Sequence, residues 1–230
     1  MKTYKHLFFD LDRTLWDFEK NSVEAFKIIF QKRKLDKIFP DFDTFIKTYK
    51  AHNERLWDLY RLRQITKTEL RNSRFLLTLK DFGVNDVELA ERIGDDYIEI
   101  SPMQTGLFPQ TIETLDYLAQ KYQMHIITNG FVEVQYKKLD NSGLRKYFTH
   151  IITSEEAKAS KPKPEIFHAA ISAANAKKKE SLMIGDDLQN DILGAKSYGI
   201  DQVYFNSNSE KHSEDLTFEI QELKVLMNLL

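Results

Sequence analysis

The sequence predicts an α/β fold: a doubly wound parallel-sheet (Rossmann-like) core interrupted by an all-helical insertion. Three observations carry that expectation. Short apolar runs alternate with amphipathic stretches over residues 106–205, and strands alternating with helices build a parallel sheet covered on both faces. A further apolar run, Leu7-Phe8-Phe9, precedes Asp10-Leu11-Asp12. This is the pattern of a buried parallel strand that delivers acidic groups at its carboxyl end, where ligands of open α/β sheets sit. Between the two, residues 16–100 read as helices without a strand. The expected organisation is a core from residues 1–15 and 101–230 and a helical cap from residues 16–100.

In the helical block, Val23, Phe26, Ile29 and Phe30 recur at helical spacing between Glu19 and Arg33, and a second helix is expected over Asp43–Leu62. Thr66 with Glu69 three residues on is a capping box for a third helix running toward Gly83, and Asp86 opens a fourth that reaches Ile98. Beyond Gly106 the expected helices are Thr111–Lys121, Val132–Ser142, Pro164–Ala174 with proline in its first turn, Leu188–Tyr198 before Gly199, and a closing helix over Phe218–Leu229. The expected strands are Met124–Ile127, Ile151–Thr153, Leu182–Ile184 and Gln202–Phe205. Lys177-Lys178-Lys179 reads as a solvated turn.

Composition narrows the chemistry. With 230 residues, a formal net charge of −2 and 30% charged side chains, there is no strongly basic face on average, so a small soluble ligand is expected rather than a nucleic-acid polymer. The chain has no cysteine, which removes disulfides, thiolate catalysis and cysteine-ligated zinc. Its six histidines are scattered and form no HExxH or HxH pair. Neither a leader peptide nor an apolar stretch of membrane-spanning length is visible, so the expected compartment is the cytoplasm and no membrane partner is expected.

The functional signals lie at strand ends. Asp10 and Asp12, at i and i+2, point the same way from an extended backbone. Two carboxylates that close do not both stay ionised cheaply; either one holds a proton or a divalent ion sits between them. Alone, the run also reads as a strand leading into an acidic turn. Three more signals follow in the same setting: Thr128-Asn129-Gly130 after Met124–Ile127, then Lys161-Pro162, then Gly185-Asp186-Asp187 with Asp191 beyond.

In this order, across the whole chain, the set resembles the haloacid dehalogenase (HAD) superfamily. The helical block between the first and second motifs resembles its subfamily with a helical C1 cap, and the stretch from Thr128 to Lys161 is too short for a second cap domain. The resemblance implies a Mg²⁺-dependent phosphomonoesterase with catalytic Asp10, Asp12 and Lys161. It implies Thr128, Asn129 and Lys161 at the phosphoryl group, and Asp10, Asp186 and the backbone carbonyl of Asp12 on the metal. Asp187 and Asp191 are expected behind these, one supporting the metal through water and the other orienting Lys161 or capping a helix. Dehalogenase members lack the second Asp of the first motif, so Asp12 favours phosphoryl transfer. Arg13 stands where most relatives have Gly, a costly exchange if the turn needs positive φ.

The residues support the same chemistry on their own terms. A phosphate ester resists an anionic nucleophile, so catalysis amounts to positioning plus charge neutralisation. Magnesium on oxygen ligands and the Lys161 ammonium would supply the neutralisation. Asp10 would attack phosphorus, and Asp12 would protonate the leaving oxygen and then take a proton from water.

Leu15-Trp16-Asp17-Phe18, with Leu56-Trp57, Gln64-Ile65-Thr66-Lys67 and Arg74-Phe75, resembles the branch containing pyrimidine 5′-nucleotidases, and Trp16 is the expected stacking contact for a base. Trp57, Tyr60 and Phe75 at helical spacing are expected as cap core. A β-phosphoglucomutase-like sugar phosphomutase or a sugar-phosphate phosphatase shares the motifs. A phospho-accepting receiver domain is disfavoured by the reversed order of its acidic motifs and by the long cap. The oligomeric expectation is a monomer or homodimer.

Overall fold

Six parallel strands lie in the order β3-β2-β1-β4-β5-β6: β1 His6–Phe9, β2 Gln123–Thr128, β3 Phe148–Thr153, β4 Ser181–Gly185, β5 Asp201–Phe205 and β6 Phe218–Ile220. The structure is a computed structural model in which residues 3–230 are described. It divides into two compact units, one running to Phe18 and resuming over Thr105–Leu230, the other Glu19–Gln104.

The sheet is doubly wound, as expected. In β1, Leu7, Phe8 and Phe9 are all fully buried, yet Leu7 and Phe9 pack on one face and Phe8 on the other, as the alternation of an extended chain demands. The first face is covered by Leu115 and Leu118 of α5 (Thr111–Leu118) and Leu139 of α6 (Val132–Asn141). The second is covered by Ile166, Phe167 and Ala170 of α7 (Pro164–Ala173) and Ala195 of α8 (Gly194–Tyr198). The strand order reverses at β1, which pairs β2 on one side and β4 on the other. A sheet opens a crevice at such a point, beyond the carboxyl ends of its strands.

Two expectations need correction. The expected closing helix over Phe218–Leu229 opens instead as strand β6, with Val203 opposite Phe218 and Phe205 opposite Ile220. Phe218 and Ile220 follow the strand period, and β5 would otherwise present unpaired backbone groups at the sheet edge. Only Leu226–Leu229 is α-helical there. The expected helix Leu188–Tyr198 begins as a wide π-type turn, Leu188–Leu193, before α8. Such turns interrupt helices where a side chain must be re-aimed, and this one carries Asp191.

Across the sheet from the acidic ends, His125 is fully buried with its ring stacked on His6, Phe8 and His150. Burial, aided by the two neighbouring imidazoles, pushes its pKa down to about 3. The unfolded chain therefore takes up a proton near pH 6.5 that the folded one refuses until near pH 3. This stability is complete above pH 6.5 and drains away as pH falls through that window, by up to about 1.4 kcal/mol per pH unit. His125→Gln should flatten the acid limb of denaturation midpoint against pH; an unchanged limb would put the acid sensitivity elsewhere.

The helical unit has its own core. Phe26 of α1 (Phe18–Lys32) sits among Tyr49 of α2 (Phe42–Arg61), Phe75 of α3 (Lys67–Lys80) and Tyr97 of α4 (Val87–Ile100), with ring centroids 4.4–6.2 Å away. Thr66 and Glu69 form the capping box of α3, and Asp41 and Asp86 cap α2 and α4. Buried Asp96 is held by Arg33 at 2.6 Å and Lys32 at 2.8 Å.

Candidate active site

Residues that end separate strands meet at the switch point. Asp10 follows β1, its backbone N–H donating to Ile184 of β4 at 2.9 Å. Thr128 ends β2, Asp186 follows β4, and Lys161 lies in the loop before α7. Carboxylate oxygens of Asp10, Asp186 and Asp191 all lie within 4.8 Å of one another. Lys161, 2% exposed, donates to Asp10 Oδ1 at 2.5 Å and to the Ile127 carbonyl at 2.8 Å, and its ammonium lies 2.6 Å from Asp191 Oδ1 as an ion pair.

The electrostatics follow from this crowding. Burial raises the Asp10 carboxyl, Lys161 opposes it, and Asp191 and Asp12 raise it again, leaving it pushed up to about 7. Burial and the neighbouring carboxylates Asp10 and Asp191 push Asp186 well above the ordinary range, and burial raises Asp191 as well. Burial opposes the charge on Lys161, but Asp10 and Asp191 outweigh it and raise its pKa. One ammonium therefore faces three carboxylates, and the site has room in its charge balance for a cation. An all-oxygen, carboxylate-rich donor set suits a hard divalent ion such as Mg²⁺.

Smaller features hold the arrangement. Thr14 donates to Asp186 Oδ1 at 3.0 Å and lies 3.5 Å from Asp10 Oδ2. A Cβ on Gly185 would fall 2.3 Å from Asp191 Oδ2, so glycine is what lets Asp191 fold back over the strand end. Arg13 does adopt positive φ, 66°. Its guanidinium rests over the Phe18 ring at 4.4 Å, a contact that offsets part of the strain.

Several sequence-predicted residues are placed differently from expectation. Trp16 is fully buried in the core cluster of the sheet unit, beneath the Lys138 ammonium at 4.2 Å. No face of the indole is open, which corrects the expectation that it stacks on a base. The Asn129 side chain brackets the Lys161 backbone, accepting from its N–H at 2.8 Å and donating to its carbonyl at 3.1 Å. Its side-chain amide is thus committed to the lysine loop. The structure also separates Asp187 from Asp191. Asp187 caps the π-type turn, accepting from Gln189 and Asn190 backbone N–H groups at 3.0 and 2.9 Å, whereas Asp191 joins Lys161. Asp12 engages its carboxylate with Lys138 at 2.5 Å and Gln135 at 3.0 Å. Sequence reading missed these two α6 residues. Their spacing of three, on one helix face just after Thr128-Asn129-Gly130, was the available signal.

This arrangement defines an aspartate-centred site at the switch point of a doubly wound sheet. A model of the haloacid dehalogenase-like hydrolase family matches residues 4–199. The chain is 30% identical to the HAD-hydrolase YfnB of Bacillus subtilis over 100% of its length and 97% of that protein's. It is equally identical to the pyrimidine 5′-nucleotidase PynA of Streptococcus pneumoniae, over 99% and 95%, and to a glyceraldehyde 3-phosphate phosphatase of Pyrococcus furiosus, over 100% and 94%. A crystal structure of YfnB bound to magnesium superposes with a TM-score of 0.89 at 28% identity, covering 99% of each chain. The chain belongs to the haloacid dehalogenase-like hydrolase family, and its fold is that of HAD enzymes.

Proposed function

We propose that this HAD-family hydrolase is a Mg²⁺-dependent phosphomonoesterase that works through a phosphorylated Asp10, with pyrimidine nucleoside 5′-monophosphates as its preferred substrates. The observation that carries the reading is the knot of buried Asp10, Lys161 and Asp191 with half-buried Asp186, a carboxylate nucleophile held beside its own counter-charge. Asp10, Asp186 and the Asp12 backbone carbonyl would hold the metal, with Asp191 behind them. When bound, Mg²⁺ supplies positive charge that lets an anionic nucleophile approach an anionic phosphoryl group.

The chain's own residues do the rest. Lys161 fixes the Asp10 carboxylate, whose oxygen attacks phosphorus as the bond to the ester oxygen breaks. Thr128 donates its hydroxyl proton to a phosphoryl oxygen. Asp12 gives a proton to the leaving oxygen, then takes one from the water that attacks the aspartyl-phosphate and frees Asp10. Since Trp16 is enclosed, recognition of the leaving group falls to residues other than this indole. The likeness to PynA supports a pyrimidine nucleotide; the likeness to the triose-phosphate phosphatase supports the second reading, a sugar-phosphate phosphatase.

Phosphate release should be measured on uridine and cytidine 5′-monophosphates, glyceraldehyde 3-phosphate and glucose 1-phosphate, with Mg²⁺ and with EDTA. The expected result is the highest kcat/KM on the pyrimidine nucleotides, loss of turnover in EDTA and recovery with excess Mg²⁺. Faster release from a triose or hexose phosphate would replace the nucleotide by a sugar ester, isomerised glucose phosphate would indicate a mutase, and EDTA-insensitive release would remove the metal.

A further inference from the structure

We propose that Gln135 and Lys138 of α6 are positioning residues that aim two catalytic groups at once, the hydroxyl proton of Thr128 and the carboxylate of Asp12. The inference rests on the phosphomonoesterase reading above and deepens it.

Gln135 is fully buried. Its Nε2 donates to Thr128 Oγ1 at 2.7 Å and to Asp12 Oδ2 at 3.0 Å. A carboxylate only accepts, which fixes the amide with its nitrogen toward Asp12. Thr128 Oγ1 accepts a second hydrogen bond, from the Gly130 backbone N–H at 3.1 Å. A hydroxyl has two acceptor positions and one proton. With both acceptor positions filled from the protein, the Thr128 proton is left to donate outward, to a phosphoryl oxygen. The cost of this wiring is visible nearby: Gln135 Oε1 is buried without a hydrogen-bond partner, an arrangement that stability alone does not favour. Gly130 belongs to the same device, because a Cβ there would fall 2.4 Å from Gln135 Cδ.

Lys138 completes it. Its side chain is 4% exposed, its ammonium lies 2.5 Å from Asp12 Oδ1, and the Trp16 ring lies 4.2 Å beneath. Neither oxygen of Asp12 is left to wander: Gln135 holds one and Lys138 the other. The indole that sequence reading offered to a substrate base instead floors the lysine. Asp12 is thereby held in one rotamer beside β1, and the proton it gives to the ester oxygen is the one it takes from the attacking water in the turnover before.

The test separates aim from scaffolding by leaving group. Proton donation by Asp12 matters when the leaving group is a poor one, and kcat/KM covers the steps through its departure. With Mg²⁺ present, kcat/KM is measured on phenyl phosphate and on 2,4-dinitrophenyl phosphate, whose leaving group needs no proton. For Lys138→Met, the loss on phenyl phosphate should exceed that on the dinitrophenyl ester by about tenfold or more. Lys138→Arg should restore most of it, and in an Asp12→Ala background Lys138→Met should cost nothing further. Gln135→Met, which keeps shape but removes the donor, should lower turnover of both esters, more on phenyl phosphate, and covers the case in which Lys138→Met fails to fold. Equal losses on the two esters in both variants, or a full Lys138→Met effect without Asp12, would overturn the assignment. A wild-type chain that hydrolyses neither ester would instead overturn the phosphomonoesterase reading, and this inference with it.

Discussion

Asp10→Asn is expected to reduce turnover by at least about 10⁴-fold, because an amide oxygen cannot form the covalent intermediate of the proposed reaction. The same substitution should leave the fold intact or firmer. Asp10 is 6% exposed and shares its surroundings with Asp186 and Asp191, and burial with those neighbours pushes its carboxyl up to about 7. A carboxyl whose folded pKa stands above its unfolded value opposes folding above the unfolded pKa, and that opposition is greatest above pH 7. Replacing it by a neutral group of equal size removes the opposition while keeping an oxygen for Lys161. Thermal midpoints at pH 8 in EDTA should therefore be equal to or higher than the parent's, with phosphate release gone. A variant retaining a tenth of parental turnover would end the nucleophile assignment, and one with an unfolded far-ultraviolet spectrum would end the claim that the residue serves chemistry at the expense of stability.

What the sequence makes legible divides along physical lines. Periodicity and caps report local structure well: the capping box at Thr66 and Glu69, the proline opening α7 and the alternating elements after Gly106 all stand where their residues place them. Strand-end chemistry is legible because a parallel strand must present its last side chains to one crevice, so Asp10, Thr128 and Asp186 are brought together from distant parts of the chain. Contacts that depend on tertiary packing are not legible. Nothing local tells that Trp16 turns inward, since an indole beside a loop packs or binds according to what lies under it, and here Lys138 and the core claim both faces. Nor does local pattern reveal that Phe218 and Ile220 extend the sheet, because three residues satisfy a helical or a strand period equally well and the open edge of β5 decides. Asn129 shows the same limit from the other side. Its place in the second motif suggests a ligand contact, while its amide is committed to the backbone of Lys161.

Lys161→Met should have the second large effect, on stability as well as on rate. The ammonium is 2% exposed, forms ion pairs with Asp10 and Asp191 and donates to the Ile127 carbonyl. Its removal leaves buried Asp10 and Asp191 and half-buried Asp186 without the ammonium that faces them, and a backbone oxygen without its donor. Breaking a buried ion pair on one side costs about 3–5 kcal/mol, which in a chain of this size lowers the thermal midpoint by on the order of 10 °C. A hard cation is the remaining way to balance that charge, so added Mg²⁺ should raise the variant's midpoint more than the parent's, by mass action on a folded state that now depends on it. Scanning calorimetry of both proteins across a Mg²⁺ series reads this directly. Equal responses to Mg²⁺ would mean that the lysine and the metal do not answer the same charge, and the acidic cluster would lose its proposed role as the metal site.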